Sequence, residues 1–148
     1  MRLEYWKVGP DAYKALAQPS LYLNHASIDQ KLRLIVELRV SQINGCAFCV
    51  DMHTEDARKA GETVQRLDCV AAWREAHGIY TDRERAAFDL AEHATHLSRG
   101  PVPDAVYEAA RAHFSEKELV DLVTIIAVMN AWNRLAVTFE RGPAPRKG

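Results

Sequence analysis

Nowhere in these 148 residues does an uninterrupted apolar run approach the roughly 20 residues that a bilayer-spanning helix requires. Absent too is any stretch in which Val, Ile and Thr alternate with polar residues for long enough to suggest a strand. Neither sign of charge is in excess. The 19 Lys and Arg against 20 Asp and Glu leave a net charge of −1, and so no electrostatic reason to expect nucleic acid or an anionic membrane as a partner. Cysteine is scarce and odd in number, three in all, which argues against the disulfide framework of a small secreted protein. The opening segment MRLEYWKVGPDAYKAL lacks the apolar stretch of a signal peptide, so a cytoplasmic location is expected.

What is there is an ordinary globular balance, 48% hydrophobic and 26% charged. The length fits a single domain over 1–148. A chain of this size buries about 70% of its unfolded surface without help from metal or disulfide. No repeat or linker divides it, and the tail 142–148, GPAPRKG, is expected to be disordered.

Seven helices follow from the pattern of apolar residues, caps and breakers. The first runs from Pro10 to about Leu23, with Pro19 as a potential break. Asp29 caps a second to about Ile43, closed by Asn44-Gly45. A third starts near Cys46 and stops near Gly61, and a fourth covers Glu62 to His77. Thr81 or Asp82 caps a fifth to about Leu97, and Pro103 opens a sixth to His113. Ser115 and Glu118 form a capping box for a long last helix to about Phe139. The second and last helices are apolar around most of their circumference, which places them in a core or at a subunit interface and suggests a homo-oligomer.

The segment INGCAFCVDMHTEDARKAG carries the chemistry. Cys46, Cys49 and His53 are spaced i, i+3 and i+7, so on a helix they share one face. Cys46 falls in the first turn, where unpaired backbone N–H groups and the helix dipole favour a thiolate, the form that attacks an O–O bond or a disulfide. Two cysteines at this spacing can close a disulfide after one of them is oxidised to a sulfenic acid. His53 stands one turn beyond Cys49, where an imidazole can take or hold that thiol's proton. Glu37 interrupts the apolar stretch of the preceding helix, with Ser41 a turn further on the same side. A carboxylate there is costly unless hydrogen-bonded or functional, and it could orient His53 or accept a thiol proton. It could equally pair with Arg33 or Arg39.

Other candidates weigh less. Zinc would need a fourth ligand beside Cys46, Cys49 and His53, and no second C-x-x-C or H-x-x-x-H supplies one. Cys69, in the apolar face VAAW, reads as a small buried hydrophobe. His93 and His96 do not share an i, i+4 face and read as solvated or locally satisfied.

With these residues in view, LRVSQINGCAFCVDMHTEDARKAGE resembles the signature of the alkyl hydroperoxidase D (AhpD) / carboxymuconolactone decarboxylase superfamily, in which C-x-x-C-x-x-x-H follows an N-G. FSEKELVDLV and NAWNRLAV in the last helix are similar as well, so the resemblance spans roughly 32–137. It implies an all-α, AhpD-like fold of about six or seven helices with the motif opening a central one, assembled as trimers or hexamers. It also implies peroxide reduction in antioxidant defence without flavin, haem or metal, regenerated by an external dithiol or thiol protein. In the family the second cysteine is the one oxidised and the first resolves it. Carried over, Cys49 is peroxidatic, Cys46 resolving, and His53 part of a proton relay. The helix-end argument alone favours Cys46 as the lower-pKa thiol. The family's relay glutamate lies twelve residues before the first cysteine, where this chain has Leu34; Glu37, nine before, is the substitute at hand. Two alternatives remain beside the peroxidase: a disulfide-exchange or redox-sensing protein, and a decarboxylase-like enzyme with a polar pocket of Glu37, His53 and Arg134.

Overall fold

A computed structural model describes residues 1–145, and among them the regular structure is helical throughout. Eight α-helices follow in order: α1 (Tyr5–Val8), α2 (Pro10–Tyr22), α3 (Gln30–Ile43), α4 (Ala47–Lys59), α5 (Val64–Cys69), α6 (Asp82–Thr95), α7 (Asp104–Arg111) and α8 (Glu116–Thr138). Short 3-10 turns cover Leu23–His25, Val70–Ala72 and Leu97–Arg99. Of the tail, 142–145 has no regular structure, and 146–148 lies outside the described residues.

α3 is the central element, packed between α4, α6 and α8. Its apolar residues point in all directions because the chain's own helices surround it: Leu32, Leu34, Ile35, Val36, Leu38 and Val40 are all buried. That burial accounts for the helix within one chain, without a subunit interface. Phe88 of α6 and Leu122, Ile125 and Ile126 of α8 complete the fully buried centre. α8 is also long and apolar enough, by length and composition, to cross a bilayer, but half of its apolar window is buried in the protein.

The expected caps are in place. Asp29 accepts the Leu32 N–H at 3.0 Å, and Thr81 and Ser115 each form a reciprocal capping box with a glutamate three residues on. Three expectations are corrected. The one-turn helix α1 brings the total to eight, and Tyr5 packing on Phe139, rather than local propensity, holds it. Pro19 lies inside α2 without breaking it, on an exposed face where water can satisfy the carbonyl one turn back. The fourth predicted helix stops at Cys69. The chain tightens into a 3-10 turn there and buries Val70 and Trp73, whose Nε1–H donates to Glu92 at 2.8 Å.

Candidate active site

α3 ends at Asn44, and Gly45 turns the chain at φ +65°, a left-handed conformation that a side chain disfavours. Cys46 then caps α4: its Sγ accepts the Cys49 N–H at 3.3 Å, so the first sulfur takes a free donor of the helix start. Cys46 and Cys49, with Cα atoms 5.3 Å apart, are joined as a disulfide.

A chain of amides fixes this turn. Asn44 Nδ2 donates to Asn130 Oδ1 (3.0 Å) and to Asn133 Oδ1 (2.9 Å) on α8. Asn133 Nδ2 donates to Ser41 Oγ at 3.2 Å, and the Ser41 hydroxyl donates to the Glu37 carbonyl at 2.8 Å. Sequence reasoning quoted NAWNRLAV without assigning these asparagines a role. The signal was two amides three apart in an otherwise apolar helix, each needing a partner once buried.

Glu37 and His53 meet across α3 and α4, with Oε2 and Nδ1 3.3 Å apart and both side chains buried. Neither ring nitrogen makes a well-aligned hydrogen bond among the described residues. Burial pushes the Glu37 carboxyl up from 4.5 to about 7; the Arg33 cation opposes this and Asp56 adds to it. Burial, assisted by Arg33, pulls His53 down from 6.5 to about 4. An acid–imidazole contact would ordinarily favour both ionised forms, yet desolvation outweighs the attraction here. The proton therefore belongs on the carboxyl, and near neutral pH the imidazole is an uncharged acceptor.

Glu37, His53 and Cys49 line one cavity of about 310 Å³, together with Arg33 and Asp56. Phe48, Met52, Met129 and Trp132 supply apolar wall, and Tyr5 and Tyr13 close one side. Cys46 is 1% exposed and does not line it. The geometry thus gives the two thiols different surroundings, Cys46 at the helix start and Cys49 on the cavity. Arg39 does not pair with Glu37; it reaches Glu92 at 2.7 Å, while Arg33 Nε approaches Glu37 at 3.9 Å. Arg134, offered as part of a polar pocket, is not in this lining and donates to the Asn130 carbonyl. His93 is satisfied locally by the Asp89 carbonyl at 2.9 Å. Cys69 is half-buried against the core, less enclosed than expected.

Comparison with known proteins agrees with this frame. The sequence profile of the carboxymuconolactone decarboxylase family matches residues 10–93. The chain belongs to the carboxymuconolactone decarboxylase family. Within this AhpD-like family it is 44% identical to the uncharacterised protein YdfG of Bacillus subtilis, over 92% of each chain. It is 48% identical over 48 residues to the alkyl hydroperoxide reductase AhpD of Streptomyces coelicolor, a match covering 30% of this chain and 27% of that one. Among solved structures, an Agrobacterium tumefaciens protein of unknown function, suggested to be an AhpD antioxidant-defence protein, superposes with a TM-score of 0.93 at 36% identity. That match covers 97% of this chain and 99% of the other. The debrominase Bmp8 shares the fold at 18% identity and a TM-score of 0.83, over 93% of this chain and 74% of its own.

Proposed function

We propose that this family member is a thiol-dependent peroxidase in which Cys49 attacks the peroxide, Cys46 resolves the product, and His53 and Glu37 move the proton. The observation that carries the reading is the placement of the disulfide-forming pair: Cys49 opens on a cavity beside a neutral imidazole, with Cys46 beneath it at the helix start.

In the reduced enzyme His53 is unprotonated at neutral pH and takes the Cys49 proton only transiently, as a burial-weakened base acting together with the attack. The thiolate attacks the terminal oxygen of ROOH; an S–O bond forms, the O–O bond breaks, and the leaving alkoxide takes from His53 the proton that came off Cys49 and departs as ROH. The ionised fraction of Glu37, held up to about 7 and so the stronger base of the pair, can draw a proton off the ring and return His53 to its neutral form. Cys46 then attacks the Cys49 sulfenic acid: the S–S bond forms, S–O breaks, and hydroxide leaves as water after protonation. An external dithiol returns two electrons and two protons. The sum is ROOH plus two thiols giving ROH, water and a disulfide. The helix-end position favours a thiolate on Cys46 just where the resolving step needs one.

A disulfide-exchange role is less well supported. Both cysteines are buried, at 1% and 2% exposure, so a folded protein partner has no direct approach to either sulfur.

The test is a thiol count on denatured protein before and after one equivalent of cumene hydroperoxide, repeated with dihydrolipoamide. The three cysteines should yield three thiols, then one, then three again after the dithiol. Cys49→Ser should abolish peroxide consumption, while Cys46→Ser should leave a sulfenic acid that dimedone traps. A count that stays at three, or full activity in Cys49→Ser, would overturn the proposal.

A further inference from the structure

Arg33 stands in the cavity wall in a state unlike that of the other arginines in the protein's interior. Its Nη1 donates to the Leu23 carbonyl at 2.7 Å and to Asn24 Oδ1 at 3.3 Å, fixing the guanidinium plane. Its Nε is buried without a hydrogen-bond partner, 3.9 Å from Glu37, and Nη2 makes no hydrogen bond among the described residues while the side chain remains 16% exposed. Other arginines are engaged. Arg39 gives both Nε and Nη2 to Glu92, and Arg66 is held by Glu62 and Glu84. Arg141, the second arginine on this cavity, donates to the Tyr5 hydroxyl and stacks on Phe48 with its guanidinium carbon 3.7 Å from the ring centroid.

A guanidinium removed from water is costly unless an anion meets it in good geometry. Glu37 does not meet that need: its carboxyl is too far for a hydrogen bond, and burial keeps much of it protonated near neutral pH. Asp56 shares the cavity but makes no hydrogen bond to Arg33. Nε is itself enclosed, so Nη2, the nitrogen left over by the loop contacts, is the donor that can meet a carboxylate. The order along the wall is also suited to a ligand with two ends. Arg33 lies one turn before Glu37 on α3, Glu37 touches His53, and His53 lies one turn after Cys49 on α4. Anchor and sulfur therefore stand at opposite ends of a row, with Met52, Met129 and Trp132 as apolar wall beside it.

We infer that the substrate of this cavity is a small apolar molecule bearing a carboxylate, which Arg33 anchors so that the reacting end reaches Cys49. The inference rests on the peroxidase reading in taking that end to be a hydroperoxide. A neutral hydroperoxide of the same shape lacks the anion, and Arg33 then stays unmatched.

Two measurements test it. The first compares kcat/KM for 4-(2-hydroperoxypropan-2-yl)benzoate with that for its methyl ester. The acid should be favoured roughly tenfold or more, the scale of a charge-assisted hydrogen bond. Arg33→Gln should bring the ratio to about one, and Arg33→Lys, which keeps the charge but not the guanidinium, should retain part of the preference. The second is calorimetric titration of the disulfide form with 4-isopropylbenzoate and with its methyl ester, which needs no turnover. The acid should bind and the ester should not, and Arg33→Gln, checked for folding by its circular dichroism melt, should lose the difference. Equal handling of acid and ester by the wild type in both assays, or an unchanged preference in folded Arg33→Gln, overturns the anchor and leaves the peroxidase standing. Arg33-dependent benzoate binding with no hydroperoxide turned over supports the anchor and sinks the peroxidase.

Discussion

In an unfolded chain Glu37 would lose its proton near 4.5 and His53 near 6.5, whereas folding moves the first up to about 7 and the second down to about 4. Between these limits both states hold one proton on the pair: the unfolded chain on the imidazole, the folded chain on the carboxyl. The two contributions to stability therefore oppose each other across that interval. Glu37, with its folded value raised, contributes stability that is full below about 4.5 and is lost as pH rises through about 7. His53, with its folded value lowered, contributes stability present above 6.5 and lost as pH falls through about 4. Removing one partner uncovers the slope of the other. Urea unfolding between pH 4.5 and 6.5 should show Glu37→Gln gaining stability as pH rises and His53→Asn losing it, with the wild type flatter than both; slopes of one sign in both variants would refute the opposed shifts. At this scale sequence reading went far, because a glutamate in an apolar stretch and a histidine at i+7 from a cysteine announce themselves. Arg33 could be named only as a possible partner for Glu37. Its unmatched guanidinium depends on which loop atoms take Nη1, and spacing along the chain does not encode that.

Between α3 and α4 the decisive object is the two-residue bend Asn44-Gly45, which sets where Cys46 begins the next helix. A Cβ at Gly45 would meet nothing within 4 Å, so the obstacle to Gly45→Ala is backbone conformation rather than space. That substitution should cost about 1–2 kcal/mol, the penalty of a left-handed non-glycine residue. Gly45→Asn should cost less, because a short amide tolerates that conformation. Thermal melts read this directly, and equal melting temperatures for the alanine variant and the wild type would refute it. Elements whose ends carry a cap were recognisable in advance, as with Asp29, Thr81 and Ser115. Elements held by distant packing were not. α1 exists because Tyr5 lies against Phe139, and α5 ends early because Trp73 turns inward toward Glu92. Both are tertiary causes with no local signature.

Across the molecule the N-terminal segment is brought against the end of α8 and the residues just after it. The Arg2 N–H donates to the Phe139 carbonyl at 2.8 Å, Arg2 pairs with Glu140 at 2.7 Å, and Arg141 reaches from beyond α8 to Tyr5 and over Phe48. This closure puts Tyr5 and Arg141 on the cavity that Cys49 faces. The all-helical class follows from composition and period alone, but the cavity arises from residues more than a hundred positions apart and becomes visible only when the helices are assembled. Burial of Cys46 beneath it has a kinetic corollary. Under the proposed peroxidase cycle, an oxidant and a reductant would reach the sulfurs through the same opening, one at a time, so the two half-reactions would alternate. Steady-state rates measured against peroxide at several fixed dithiol concentrations should give parallel double-reciprocal lines, with excess dithiol competing against peroxide for the vacant opening. Intersecting lines would mean that both molecules occupy the enzyme together, and that electrons enter by a second door.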